Sequence, residues 1–270
     1  MSFYSPITNN NPEPNNRQVL TILGIFIGLI ILIFWLIGLF INGLINWLPV
    51  SVEQQLGAII LPSYQAQAQP SPQQNKLNEL LDGLEGKLPQ KQQENRDFMV
   101  LYIPESTINA LAIPGDTIVI YQGLLKEVES ENELMMILSH ELGHFANRDH
   151  LRSLGNVLLI KIAISSLVGD LGNLQSAVDF VNAIANARFS QQQETQADEF
   201  GLNLLNQYYG HVAGATDFFQ RLSNKNNLDI AFLSTHPSPE KRVKQLEQLI
   251  KQENYLIESK KPLTGDLKIN

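Results

Sequence analysis

The chain has 270 residues, 17% of them charged and 44% hydrophobic, with a formal net charge of -8 and no cysteine. That length holds one good-sized folded domain plus an extra segment. The acidic balance and the lack of an Arg/Lys stripe exclude a nucleic-acid footprint, and the missing cysteine excludes a disulfide framework, a thiolate nucleophile and a thiolate ligand for a metal.

Residues 1–18 are rich in Asn and Pro and read as a disordered tail. From Val19 to Val50 no charged residue occurs, and residues 19–41 are almost wholly Leu, Ile, Phe, Gly and Trp, enough to span a bilayer. Residues 19–48 are therefore expected to form a retained transmembrane anchor. A cleaved signal peptide is the rival reading; the length of the apolar run and the pairing of Arg17 with Glu13 ahead of it argue against that. Arg17 is the only basic residue before the span, and none follows until Lys76. The positive-inside rule then leaves the tail in the cytoplasm and the large domain on the extracytoplasmic side of a single-pass protein.

Residues 49–95 read as a Gln-rich linker, with Pro70, Pro72 and Pro89 around one short amphipathic helix carrying Leu77, Leu80, Leu81 and Leu84. The folded domain is expected over residues 96–256, and residues 257–270 form a C-terminal tail. Residues 98–103 and 109–113 read as strands, Pro114-Gly115-Asp116 as a turn and 117–121 as a third strand, giving a small hairpin or sheet. Ser130 to Asn132 offer caps for a long helix through about Arg148. Leu134, Ile137, Leu138 and Leu142 keep helical spacing along it and pack one side.

A second apolar stretch, residues 151–174, is interrupted by Lys161. It reads as a buried helix or hairpin, with a membrane-dipping segment as the alternative. Residues 178–209 read as one long helix, or two joined near Phe189, closed by Gly210-His211. Ser234-Thr235-His236-Pro237-Ser238-Pro239 is a constrained loop. A final helix over 240–256 has Val243, Leu246, Leu249 and Ile250 on its core face.

The most specific signal is His140-Glu141-Leu142-Gly143-His144, set within the helical apolar pattern. Residues four apart share a helical face, so both imidazoles can reach one ion while Glu141 lies beside them as base. With five histidines in the whole chain, an accidental match is rare. Gly143 costs helix propensity, and its size permits close approach by a neighbouring backbone. A catalytic zinc site has three protein ligands and a water, and without cysteine the third ligand is a His or a carboxylate. Glu194, on a separate helix, is the best candidate, ahead of Glu199 and Glu133. Asp198, one turn on, shares its face and can accept a proton from a ligand histidine. Asp149 and His150 face away from the histidine pair by helical spacing, and His211 sits at a helix end as a cap or dipole partner. Nothing in the chain resembles a nucleotide loop or a serine triad.

Several further features stand in the same order as in a known family: Asn109-Ala110-Leu111-Ala112 before a Pro-Gly turn, Gly123-Leu124-Leu125, the histidine motif followed by Arg148-Asp149-His150, Glu194 with Asp198, and Thr235-His236-Pro237 with Arg242 downstream. Over residues 98–249 the chain resembles the M48 family of membrane-associated zinc metallopeptidases, the Ste24-like and HtpX-like group with its periplasmic and mitochondrial quality-control relatives. The resemblance implies an α+β, mainly helical, gluzincin-type domain with a small β-sheet behind an N-terminal transmembrane helix. It makes His140, His144 and Glu194 the ligands of one Zn2+ per chain, Glu141 the base, and Asp198 a support paired with Arg242. It puts Asn109, Ala110, Leu111 and Ala112 at the cleft edge against an extended substrate, and it gives His236 a place near the zinc. There His236 would either fill the open position at rest or stabilise the oxyanion, with a purely structural role before Pro237 as the alternative.

Ste24-like and HtpX-like members carry several spans, so a chain with one clear span sits nearer the small anchored or periplasmic branch. The expected reaction is zinc-dependent hydrolysis of internal peptide bonds in unfolded or damaged polypeptides near a membrane, with no nucleic acid or nucleotide partner. The alternatives are a chaperone-like or assembly factor with proteolysis suppressed by His236, and a membrane-anchored binding domain without metal. The sequence leaves the oligomeric state open.

Overall fold

The computed structural model describes residues 15–155, 188–224 and 231–269, and the chain divides into two compact units, residues 1–44 and 45–270. The apolar stretch expected over 151–174 lies, beyond residue 155, outside the described residues, as does the first part of the stretch expected to be helical over 178–209.

The first unit is dominated by α1 (Asn16–Trp47), a helix of 32 residues. At about 1.5 Å per residue it is roughly 48 Å long, ample for a hydrocarbon core of about 30 Å. A helix apolar all round is either buried in protein or lies in lipid. None of its apolar window is buried, and it is the one helix among the described residues long and apolar enough to cross a membrane. Among the described residues, α1 thus supports the single-span topology expected from the sequence.

In the second unit α2 (Val50–Gln65) leads to α3 (Pro72–Glu85), whose N-cap Ser71 accepts a hydrogen bond from Gln74 N at 3.1 Å. Leu77, Leu80, Leu81 and Leu84 of α3 lie in the main hydrophobic core, so the amphipathic helix read from the leucine spacing is a packed element of the domain. After the short α4 (Gln90–Gln93) come β1 (Met99–Ile103), β2 (Ala110–Ile113) and β3 (Thr117–Tyr121). They form a sheet in the order β1-β3-β2, with β1 parallel to β3 and β2 antiparallel to it. The β2–β3 turn takes Gly115 and Asp116 through positive φ, 90° and 59°. Side chains alternate across the sheet. Val100, Tyr102, Ala110, Ala112, Ile118 and Ile120 join the main core, while Leu101, Ile103, Leu111, Ile113 and Val119 face Ile60 and Tyr64 of α2. The outer edge of β1 is covered: Val100 N and Tyr102 N donate to Asn78 Oδ1 and Gln74 Oε1 of α3 at 2.8 and 2.7 Å.

The short α5 (Gln122–Glu127) precedes α6 (Glu131–Ala146), which carries the histidine motif. Ser130 caps it, accepting from Glu133 N at 3.3 Å, and every residue from Glu131 to Phe145 is buried. Sequence spacing predicts packing along one side of α6. The structure encloses it fully, because α7 (Gln191–Tyr209) crosses the histidine face and residues 260–263 lie along its first turn. Glu131 N donates to Lys261 O at 3.0 Å, and Leu263 and Leu267 near the C-terminus are buried. A capping box of Ser190 and Gln193 starts α7, and Gly210 in the left-handed region ends it. Three further helices, α8 (Asp217–Asn224), α9 (Ala231–Thr235) and α10 (Pro239–Gln252), close over the far end of the motif.

Candidate metal centre and active site

The α6–α7 crossing makes the site, and two glycines allow it. A Cβ on Gly143 would stand 2.9 Å from the Ala197 Cα, and one on Gly201 would stand 3.0 Å from the His140 backbone N. With backbones this close, Glu194 and Asp198, one turn apart on α7, both meet His140 and His144, one turn apart on α6. The loop behind α9 adds His236.

One donor atom from each of His140, His144, Glu194 and His236 lies within 4.8 Å of every other, and all four residues are buried. His140 Nε2 is 3.1 Å from His144 Nε2 and 3.3 Å from His236 Nδ1. Glu194 Oε1 is 3.5 Å from His144 Nε2 and 3.1 Å from His236 Nδ1. Ligands about 2.0–2.1 Å from a tetrahedral zinc are separated from one another by about 3.4 Å, so these spacings fit the edges of a tetrahedron around one ion. The donor set, three imidazoles and a carboxylate, suits zinc as well.

Each motif histidine is oriented by its other nitrogen. His140 Nδ1 lies 2.9 Å from Asp198 Oδ1, and His144 Nδ1 lies 3.0 Å from Asp149 Oδ2, which turns both Nε2 atoms toward the common centre. Burial, and then the charge of Arg242, push His140 down to about 4, so it stays neutral. Burial also disfavours charge on His144, but Asp149 and Glu194 outweigh it and bring this imidazole up to about 10. Arg242 of α10 donates to Asp198 at 2.6 and 2.8 Å and pairs with Glu194 at 2.9 Å. Burial raises the Glu194 carboxyl, yet Arg242 and His236 hold it well below the usual carboxylate range. Aromatic faces complete the walls: Phe189 stacks on His144 with centroids 3.9 Å apart, Phe232 stacks on His236 at 4.5 Å, and Phe219 lies 4.0 Å beneath the Arg242 guanidinium.

Glu141 is fully buried, with neither carboxylate oxygen hydrogen-bonded. Its nearest ionisable neighbour is His236, whose Nε2 is 3.6 Å away. A buried carboxylate without donors is costly in a fold, and both oxygens are left free to accept a hydrogen bond from whatever enters.

Of the residues singled out by sequence, His140, Glu141, His144, Glu194, Asp198, His236 and Arg242 come together here. Asn109, Ala110, Leu111 and Ala112 form or adjoin β2, the sheet edge that packs on α6, and Thr235 donates to Asn109 Oδ1 at 3.4 Å. The rival ligands are elsewhere: Glu199 is exposed, and Glu133 pairs with Arg221. His211 accepts from Ala213 N at 3.2 Å, a local cap. Asp149 corrects the sequence reading. Helical spacing turns it away from the histidines, but α6 stops at Ala146 and Arg148 enters the left-handed region at φ 57°, which swings Asp149 back onto His144. A charged residue just past a helix end was the available signal, and spacing does not carry through such a turn.

Residues 72–250 match the profile of "Peptidase family M48". The mitochondrial metalloendopeptidase OMA1 of Schizosaccharomyces pombe is 28% identical over 155 residues, 54% of this chain and 44% of that protein. Metalloprotease LoiP of Escherichia coli is 27% identical over 146 residues, 52% of this chain and 57% of its own length. A putative beta-barrel assembly-enhancing protease of Vibrio cholerae is 28% identical over 182 residues, 62% of this chain and 38% of that protein. The chain thus spans about half the length, or less, of these relatives.

Proposed function

This chain belongs to peptidase family M48, and on that premise we propose that it is a zinc-dependent endopeptidase acting on polypeptides next to a membrane. The observation that carries this reading is the buried His140, His144, Glu194 and His236 cluster with the unpartnered Glu141 carboxylate beside it. One zinc per chain, held by His140, His144 and Glu194, would supply a Lewis acid for the scissile carbonyl and lower the pKa of a water.

The protein's own groups do the rest. Glu141 takes the proton of the attacking water and returns it to the leaving amine. Asp198 and Asp149 hold the two imidazoles in one tautomer, and Arg242 keeps Asp198 and Glu194 ionised in a buried setting. His236, beside Glu141, and Arg242 stabilise negative charge on the tetrahedral oxygen. Substrate lies along β2: antiparallel pairing alternates, so with Asn109 bonded to Tyr121 the carbonyl of Ala110 and both backbone groups of Ala112 face away from β3, toward an extended peptide, while Ala110 N–H donates to Asn109 Oδ1 at 3.0 Å. Unfolded or damaged proteins offer such extended segments. The one membrane-length helix among the described residues supports the small anchored branch of the family, and Arg17 supports an extracytoplasmic domain.

A second reading is an assembly factor whose proteolysis is gated. His236 Nδ1 stands 3.1–3.3 Å from Glu194 and His140, where a fourth ligand belongs. A relative named as an assembly-enhancing protease points the same way. Full-length protein in detergent micelles tests both. One zinc per chain, with casein cleavage reduced about 10²- to 10⁴-fold in Glu141→Gln at unchanged zinc content, is expected for the peptidase. Undiminished cleavage by Glu141→Gln, or a folded protein without zinc, overturns it. Cleavage that emerges only in His236→Ala favours the gated form.

A further inference from the structure

Three residues just beyond the metal helix reach back to one short segment. Arg148 Nη1 donates to the backbone O of Ile45 at 2.6 Å and also to that of Leu48. Arg152 Nη2 donates to Asn46 Oδ1 at 2.6 Å, and His150 Nε2 lies 2.8 Å from Glu53 Oε1. All these partners belong to the last turn of α1, the Leu48-Pro49 link and the first turn of α2. Asp149, in the midst of the three, lies 3.6 Å from Arg152 Nη1 and also faces the site. Its Oδ2 holds His144 Nδ1, and its Oδ1 accepts from Gln193 Nε2 at 2.9 Å. One short stretch of chain therefore grips the exit of the apolar helix on one side and a metal-binding imidazole on the other.

Glu53 is the centre of the first grip. It is 0% exposed and takes the Arg96 guanidinium on both oxygens, at 3.1 and 2.7 Å, while also facing His150. Arg96 pairs in turn with Asp116 of the β2–β3 turn, and Asp116 Oδ2 accepts from Gln54 Nε2 at 2.9 Å. The second nitrogen of His150 lies 3.4 Å from the carbonyl O of His144, so this ring bridges α2 to the end of the metal helix. Ile60 and Tyr64 already bury α2 against the sheet. A buried cluster of charges is weak evidence for added stability, and its attested use is to fix one arrangement among several.

We infer that Glu53 is a positioning residue for the metal centre. Through His150 it fixes the turn that carries Asp149, and Asp149 fixes the orientation of His144. Residue 53 lies outside the span 72–250 that matches the family profile, so the site draws support from the segment beside the membrane helix. The inference rests on the metal-site reading given above.

The test uses the full-length chain in detergent micelles. Zinc affinity is measured by chelator competition and ligand geometry by the visible spectrum of cobalt-loaded protein, with thermal unfolding of the metal-free form alongside. Glu53→Ala should weaken zinc binding about 10- to 100-fold and alter the cobalt spectrum. Glu53→Gln, which keeps an acceptor oxygen, should restore most of the affinity. Leu81→Ala, a buried truncation on α3, should lower the melting temperature and leave affinity intact. Asp149→Asn should weaken binding as well, and adding Glu53→Ala to it should change little, since both act on the same imidazole. If Glu53→Ala does not fold, His150→Ala, which removes the same link, is expected to show the same loss. Wild-type affinity in every loosened variant, an equal loss in Leu81→Ala, or full additivity with Asp149→Asn would each overturn the inference. A wild-type chain that binds no zinc would overturn the metal-site reading beneath it instead.

Discussion

At the scale of single residues, the site is a set of imidazoles held between carboxylates, with one arginine balancing two of those carboxylates. Arg242 is 2% exposed and sits between Asp198 and Glu194. Removing one partner of a buried pair leaves an uncompensated charge, at a cost of about 3–5 kcal/mol. Metal-free Arg242→Ala should therefore melt about 10 °C lower than metal-free wild type, from the usual shift of a few degrees per kcal/mol in a domain of this size. An unchanged melting temperature would mean that the arginine does not hold the two carboxylates together. Glu53 gives a pH prediction. Burial raises its carboxyl, but hydrogen bonds from His150 and Arg96 prevail and bring it from 4.5 to about 2. A carboxyl depressed in the folded state adds stability that is fully present above its unfolded pKa and is lost as pH falls through its folded pKa. Its contribution of roughly 3 kcal/mol is therefore present above pH 4.5 and disappears toward pH 2. Denaturation across that window should show the advantage of wild type over Glu53→Gln shrinking as acid is added; a constant gap would refute the shift.

At the scale of elements, the crossing of α6 on α7 decides whether the proposed ligands meet. Ala at position 143 would gain about 1 kcal/mol of helix propensity over Gly. Its Cβ, however, would stand 2.9 Å from both the Cα and the carbonyl O of Ala197, a backbone that cannot rotate aside. Overpacking of that kind costs about 1–3 kcal/mol, so sterics prevail and Gly143→Ala should be both less stable and weaker in zinc binding. A stabilised variant would show that the helices do not approach as described. This contact was legible in sequence because a glycine between two ligands on a helix has few other reasons to be there. The strands and the Glu194–Asp198 face were legible too, being local patterns of period two and four. The rest depends on long-range partners. Residues 50–65 mix apolar and polar side chains around Pro62, and nothing local marks Glu53 as buried. The leucines of α3 announce a helix without saying what covers it, and Leu263 and Leu267 gain their burial from α3 and α6, far away in sequence.

At the scale of the whole molecule, the proposed orientation rests on one apolar helix and one arginine. Residues 1–75 contain a single basic side chain, Arg17, and the next is Lys76, well past the end of α1 at Trp47. Orientation follows the bias of Lys and Arg within about 15–20 residues of the span ends, and acidic residues contribute little. Arg17 lies at the first turn of α1 and falls inside that window, while Lys76 lies outside it. The rule predicts that this one charge holds the tail in the cytoplasm, with the domain proposed to carry the metal centre on the other side. The attraction of a single basic residue to an anionic leaflet is worth about 1 kcal/mol, which gives a preference rather than a lock. Arg17→Glu should therefore yield a mixture of orientations, and adding basic residues at Ser51 and Gln55, on the exposed face of α2, should turn most molecules over. Protease accessibility of the C-terminal domain in sealed membrane vesicles of known sidedness reads the outcome directly. Wild type should be protected in inside-out vesicles, Arg17→Glu partly cleaved, and the variant with the added charges largely cleaved. Uniform protection of all three would mean that the folded domain, and not Arg17, determines which side it occupies.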